Sequence, residues 1–395
     1  MALDFQQVRD QVKQLGEAAP QRQQELDQKR RESLALLESC AEEIEHLRSK
    51  VQEVRQRDPS LRCALPVILP GDNPQPLNAH FPLPALPPLA TILAADGSQI
   101  NLDRHAEVEY SLVNVGAIQM RRGSEQPPQT TVRSRLYYAE QWLNLTDARL
   151  ALTRDLEERS LLAELAAAAP APLITFSDGP IELWGAKDGT AEDASIYQEN
   201  LSKYREVLTR LFQIGATTAG YVDKPAANLV VRLLEAAKAS PADLEDFRKF
   251  HPLSGVSDRY LYLNMLEPGE RSAVFALQSQ AAKNYPGPLA VHFFYLNVGR
   301  AQKGWLARVE VPAWVAHDPA KLDMLHAVLV EQCRILGSRP YPYLLHRAHE
   351  TAVVSLQERD QLTQMILLEL RQRGVAIEGA SQKQAAKDLP GRTRR

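Results

Sequence analysis

The sequence predicts a mixed α/β domain behind a helical extension. Three observations carry this. A heptad stripe rich in Gln, Glu and Arg lies near the N-terminus, short apolar segments alternate with Leu- and Ala-rich stretches from residue 90 onward, and a proline-dense stretch lies between them. The chain has 395 residues, of which 44% are hydrophobic and 24% charged, enough for one large domain with an appendage or for two ordinary ones.

At the front, Phe5, Val8, Val12 and Leu15 predict a short helix that ends before Pro20. Over residues 21–57 the apolar positions Leu37, Cys40, Ile44, Leu47, Val51 and Val54 step by three and four, the spacing of a long helix packing as a coiled coil or helical hairpin. Such a stripe either lies on the chain's own globular domain or serves self-association and partner docking. Prolines at 66, 70, 74, 76, 82, 84, 87 and 88 exclude a helix there and predict an extended linker.

Beyond it, residues 91–95 read as a buried strand and 107–116 as a second of alternating polarity, forming a hairpin. Residues 131–138 suit a third strand or the start of a helix, 141–169 a helix, and 173–176 a short buried strand. A helix over 195–214, a strand over 218–222 and a helix over 228–238 follow. Residues 291–297 and 306–311 are strong strands, and 319–336 and 350–373 long helices. The expected division is a helical segment over 1–62, a linker over 63–89, the main domain over 90–375 and a basic tail over 376–395, containing Lys383, Lys387, Arg392, Arg394 and Arg395, whose default is disorder. This order suits an RNase H-like mixed sheet flanked by helices better than a dinucleotide-binding fold. No Gly-x-Gly-x-x-Gly follows the first strand and no Walker lysine motif occurs, so nucleotide hydrolysis is not expected.

A formal net charge of −3 means that a nucleic-acid partner has to be met by a local basic patch. Cys40, Cys63 and Cys333 are far apart and odd in number, which suggests neither a disulfide framework nor a zinc knuckle and points to a reducing compartment. The N-terminus has no apolar leader core, and no stretch reaches the ~18 uninterrupted apolar residues of a membrane span. The expectation is a soluble, cytoplasmic chain with no membrane association.

The candidate chemistry begins with Asp96-Gly97-Ser98 and is echoed by Ser177-Asp178-Gly179-Pro180. An aspartate at a strand end, followed by a glycine that lets the backbone turn, can aim a carboxylate at a metal; Asp-Gly is equally a common turn dipeptide. If both aspartates meet in space, the pair suits metal-dependent hydrolysis, for which a third carboxylate is expected from Glu157 or Glu158 in the intervening helix. Only one of these can face the sheet, since helix neighbours lie about 100° apart. Later come Tyr341, His346 and His349, with the two histidines on one helical face. A neutral imidazole there can ligate metal or move a proton, and it can equally serve packing or capping. Arg271 and the Arg121-Arg122 pair are cations able to meet phosphate, or alternatively a surface ion pair and a solvated hairpin turn. A serine hydrolase built on Ser98 lacks the Gly-x-Ser-x-Gly elbow.

Taken in order, Asp96-Gly97-Ser98-Gln99-Ile100 with Asp103-Arg104-His105, the strand ending in Gly116, Ser177-Asp178-Gly179-Pro180, residues 220–225, Gly269-Glu270-Arg271-Ser272, residues 307–315, and Pro340-Tyr341-Pro342 with Ala348-His349-Glu350 resemble the NurA nuclease family. That family partners the hexameric HerA translocase, and the resemblance covers residues 90–374. It implies that Asp96, Asp178, Tyr341 and His349 are site residues and, four residues after Arg154, favours Glu158 as the helix carboxylate. By the same resemblance Asp96, Glu158, Asp178 and His349 hold the metal, with His349 otherwise moving protons, and Tyr341 positions phosphate. It further implies an RNase H-like fold, a preference for manganese with magnesium as the second candidate, 5′ to 3′ exonuclease and single-strand endonuclease activity in DNA end processing, and a homodimer stacked on a HerA-like hexameric ATPase. The long front helix and proline stretch depart from the compact archaeal pattern. The competing expectation is a catalytically inactive adaptor or clamp on a DNA translocase.

Overall fold

The computed structural model describes residues 3–68, 74–103, 106–138, 146–185, 190–300 and 303–375. Pro70, Arg104, His105, residues 141–145 at the expected start of a helix, and the basic tail over 376–395 lie outside the described residues. The chain divides into two compact units, one formed by Met1–Leu86 with Tyr221–Pro340 and the other by Pro87–Gly220 with Tyr341–Arg395.

The first unit opens with helices α1 (Phe5–Ser39) and α2 (Ile44–Arg57) and strands β1 (Cys63–Pro66) and β2 (His80–Phe81). The second contains β3 (Ala90–Ile100), β4 (Tyr110–Arg122), β5 (Gln129–Tyr138), α3 (Asp147–Ala168), β6 (Leu173–Asp178) and α4 (Ala191–Ile214). Strand β7 (Thr217–Val222) carries the chain back to the first unit. There follow α5 (Leu229–Lys238), α6 (Asp258–Leu263), β8 (Arg271–Ser272), β9 (Phe275–Gln278), β10 (Val291–Asn297), β11 (Leu306–Pro312), α7 (Ala313–Ala316) and α8 (Pro319–Ile335). Helices α9 (Tyr343–Ala352) and α10 (Leu356–Gln372) return to the second unit.

In the first unit β10 pairs antiparallel with β11 and β9, and β9 with β1. Every residue of β10 and β11 is buried, including Arg308 and Glu310 of β11, which pair with each other at 2.8 Å. The heptad stripe is satisfied within this unit. Leu37, Ile44, Leu47, Val51 and Val54 are buried, and α2 packs on α5 and β1. The expected break at Pro20 is not where the helix ends. Helix α1 runs 35 residues through Pro20, where the good helix formers on both sides outweigh the roughly 3 kcal/mol that an interior proline costs, and the chain turns instead after Ser39. Over the described part of 63–89 there is no helix, but β1 and β2 add short strands that pair with β9 and β8.

In the second unit β3, β4 and β5 form an antiparallel meander, β6 joins β3 in parallel, and β7 lies beside β6. With α3 between β5 and β6, and α4 between β6 and β7, this is the order of an RNase H-like mixed sheet. Residues 131–138, read as strand or helix, are strand. The expected single helix over 350–373 is two. Val353 and Val354 break it, and Ser355 with Glu358 forms a capping box that starts α10. Leu367 of α10 then packs with Ile100, Val108, Tyr110 and Leu112.

Candidate active site

Strand register brings the two aspartates together. Pairing between β3 and β6 runs in parallel from Thr91 opposite Leu173 to Ala95 opposite Ser177, so Asp96 and Asp178 come next on adjacent strands. The two Asp-Gly dipeptides nevertheless differ. Asp178 ends β6, and Gly179 turns the chain at φ +80°, as expected. Asp96 does not end its strand: β3 continues to Ile100, with Asp96 opposite Gly116 and Gly97 opposite Val115. Gly97 is there for close approach, because a Cβ would lie 2.7 Å from both Arg154 Cγ and Glu158 Oε1. Successive residues point to opposite faces of the sheet, so Gly97 faces α3 and Asp96 faces α9.

Helix α9 is seated by a second glycine. A Cβ on Gly116 would stand 2.7 Å from Ala352 N and 2.8 Å from Ala348 O. The end of the helix is anchored by Ser98 Oγ and Asn114 Nδ2, which donate to the Ala352 carbonyl at 2.5 and 2.8 Å. Ser98 is thus an anchor for α9. The same seating brings His349 Nδ1 to 2.7 Å from Asp96 Oδ2, although the histidine stays largely exposed. His346 does not join it and pairs with Glu350 at 3.4 Å. Two residues before α9, the Tyr341 side chain hydrogen-bonds Asp178.

The two helix glutamates part company. Glu157 turns to Arg135 at 2.9 Å, whereas Glu158 is buried and lines a pocket of about 550 Å³ with Asp96, Asp178, Arg154, Asp155, Arg159, Glu182 and Trp184. Glu158 meets Arg159 at 3.0 Å and Arg154 at 3.3 Å. Burial pushes its carboxyl up to about 8, with Arg159 opposing and the charges of Asp155 and Asp96 adding to the rise. Asp178 reaches the pocket rim, yet the protein around it still removes enough water to raise its carboxyl, helped by Asp96 and opposed by Tyr341. Asp96 therefore disfavours charge on both other carboxylates. Hard oxygen donors that repel one another suit a hard divalent cation. As they stand, no three His, Cys, Asp or Glu side chains among the described residues are gathered around one point. Glu158 is turned to its arginines and Asp96 to His349.

A family model for the NurA domain matches residues 90–354. The chain belongs to the NurA family. Membership of that family supports a nuclease role. No curated protein matches the chain in sequence. Among solved structures, it is similar to the NurA nuclease from Sulfolobus solfataricus at 13% identity, over 82% of this chain and 92% of that one, with a TM-score of 0.41. It is also similar to human ENDOV at 13% identity, over 70% and 86%, TM-score 0.32. A third likeness is to Ciona intestinalis Endonuclease V in complex with DNA, at 11% identity over 80% and 96%, TM-score 0.32.

Within the NurA domain, Arg154, Arg159 and Trp184 line the pocket without having been singled out as functional residues from the sequence. Arg159 had no usable signal, since which of the neighbouring glutamates is buried shows only once α3 is docked on the sheet. Trp184 had only its place six residues after Asp178. The other sequence candidates lie elsewhere. Arg122 of β4 donates to the carbonyls of Pro87 and Pro88, and Arg271 is buried over Phe81 and Phe294 in the first unit.

Proposed function

We propose that this chain is a metal-dependent deoxyribonuclease that hydrolyses phosphodiester bonds, acting as a 5′ to 3′ exonuclease and single-strand endonuclease in DNA end processing and repair. The observation that carries the hydrolytic reading is that Asp96, Glu158 and Asp178 line one pocket, with His349 on Asp96 and Tyr341 on Asp178. Asp96, Glu158 and Asp178, with His349 beside them, would hold manganese or magnesium. Such a cation would supply positive charge against the phosphate oxygens and acidity to a water.

The chain's own groups do the rest. His349 donates from Nδ1 to Asp96, which fixes its tautomer and leaves Nε2 to take a proton from water or return one to the leaving oxygen. The Tyr341 hydroxyl, oriented by Asp178, can hand its hydrogen bond to a phosphate oxygen. Arg154, partly exposed in the pocket, offers a guanidinium to the phosphate backbone. The HerA-like hexameric translocase and the homodimer enter this proposal from the family resemblance.

The test is digestion of end-labelled single-stranded and duplex DNA by the purified chain with manganese, magnesium or a chelator, with and without a HerA-type translocase. Cation-dependent shortening from the 5′ end and internal cuts in single strands are expected. Intact DNA under every cation leaves the adaptor reading standing, and a monomeric mass in light scattering removes the dimer.

A further inference from the structure

Trp184 stands out as a large apolar side chain that the fold does not bury. It is 54% exposed and lines the same pocket as Asp96, Glu158 and Asp178. A single exposed aromatic needs no explanation by itself, but two features make this one different. The segment after Asp178 is pinned from below, with Ile181 and Leu183 buried and their carbonyls accepting from the buried hydroxyls of Tyr204 at 2.7 Å and Tyr197 at 3.2 Å on α4. Gly185, next to the tryptophan, is pressed so closely on Tyr197 that a Cβ there would lie 2.5 Å from its ring. The indole is therefore carried on a segment that meets α4 at the alternate residues Ile181, Leu183 and Gly185, on the rim of a pocket that also holds carboxylates and arginines. That combination, an aromatic face on a fixed support beside groups that meet phosphate, is what stacking of an unpaired base requires.

We propose that Trp184 is a base-stacking platform that holds an unpaired nucleotide of a single strand next to the scissile phosphate. The inference rests on the nuclease reading above. It makes Trp184 a positioning residue that favours single strands, because a base inside a duplex has no free face to offer. Register on the strand is then set by stacking on Trp184 at one point and by phosphate contacts of Arg154 at another.

The test uses the full chain, an oligothymidylate single strand and a duplex. With a chelator present so that nothing is cut, binding of the single strand should quench tryptophan fluorescence. The sequence has four tryptophans, so Trp184→Phe is used to show which one reports, and the quench should disappear in it while affinity is largely kept. Trp184→Ala should weaken single-strand binding about tenfold or more and, with manganese, raise KM for single-strand cleavage by more than it lowers kcat, with a smaller effect on the duplex. A quench that persists in Trp184→Phe, or Trp184→Ala binding single strands as wild type does, overturns the proposal; if the alanine variant misfolds by circular dichroism, the phenylalanine result decides alone. Quenching that maps to Trp184 in a protein that never cuts DNA removes the nuclease reading and leaves the platform in place.

Discussion

Each unit of this chain buries carboxylates, and Asp258 and Glu158 are held in different ways. Asp258 in the first unit accepts from the backbone N–H groups of Val230 and Val231 at 2.9 and 2.8 Å and from the Tyr295 hydroxyl at 2.5 Å. Glu158 in the second has two arginine side chains for partners and lines an open pocket. Burial raises both, Asp258 to about 6 and Glu158 to about 8. A carboxylate fixed by backbone donors is part of the frame, whereas one held by arginines at an open pocket can take a cation while the partly exposed Arg154 turns to a phosphate. Burial against arginines does not by itself separate a structural acid from a functional one, since Glu235 and Glu310 of the first unit are also buried beside Arg232 and Arg308; the open pocket at Glu158 does.

The largest effect should come from exchanging each acid for its amide. Glu158→Gln copies the protonated form that burial already favours near neutral pH, so unfolding by urea should change by less than about 1 kcal/mol while cleavage falls roughly 100- to 1,000-fold. Asp258→Asn turns an NH₂ toward groups that donate, so it should cost about 3 kcal/mol in stability and leave the activity of the folded fraction unchanged. If both variants lose stability alike, the contrast between them is wrong.

Next in size is the acid response of the first unit, where His292 and His326 are buried and pushed down to about 4 by desolvation. Their folded pKa lies below the unfolded value of about 6.5, so the stability they contribute is full above pH 6.5 and is lost as pH falls toward 4. Asp258, raised to about 6, acts oppositely and loses its contribution as pH rises from about 4 to 6. His326→Gln, which can still donate to the Gly269 carbonyl, should remove on the order of 3 kcal/mol of the acid-induced loss between pH 6.5 and 4. Urea unfolding at several pH values reads this, and an unchanged pH slope contradicts it.

Smaller again is the contrast between the two glycines that follow the aspartates. Gly97→Ala drives a methyl into Arg154 and Glu158 and should cost about 1–3 kcal/mol together with much of the activity. Gly179→Ala meets open space and carries only the strain of φ +80°, about 1 kcal/mol. Thermal melts and cleavage rates separate the two. The smallest effect belongs to His346→Ala, which removes one exposed pair with Glu350 and should change stability by less than about 0.5 kcal/mol and leave cleavage intact, unlike His349→Ala.

Much of this was legible in the chain. Asp96, Asp178, Tyr341 and His349 stand in recognisable segments, and the meander, the crossover helix and the strand after it follow from local apolar patterning. The choice between Glu157 and Glu158 was not legible, because adjacent helix positions are distinguished only when α3 docks over Gly97. The meaning of Gly97 was misread for a related reason. A glycine that turns a chain and a glycine that admits a helix look alike in sequence, and only the pairing of β3 with β4 out to Ile100 separates them. Strands β1, β2, β8 and β9 escaped notice because they are two to four residues long and find partners at great sequence distance, as when Cys63 pairs with Gln278. The break between α9 and α10 did have a signal, the Ser355-x-x-Glu358 capping box.

The central claim is that Asp96 and its pocket cut DNA with a bound cation, and the most direct measurement compares wild type with Asp96→Asn on a labelled single strand in manganese. Binding of the same strand is followed in parallel. The expected result is a variant that folds and binds DNA like wild type but cleaves at least about 1,000-fold more slowly, with wild-type cleavage abolished by a chelator. Cleavage by Asp96→Asn at the wild-type rate, or wild-type cleavage that persists without any divalent cation, would contradict the account.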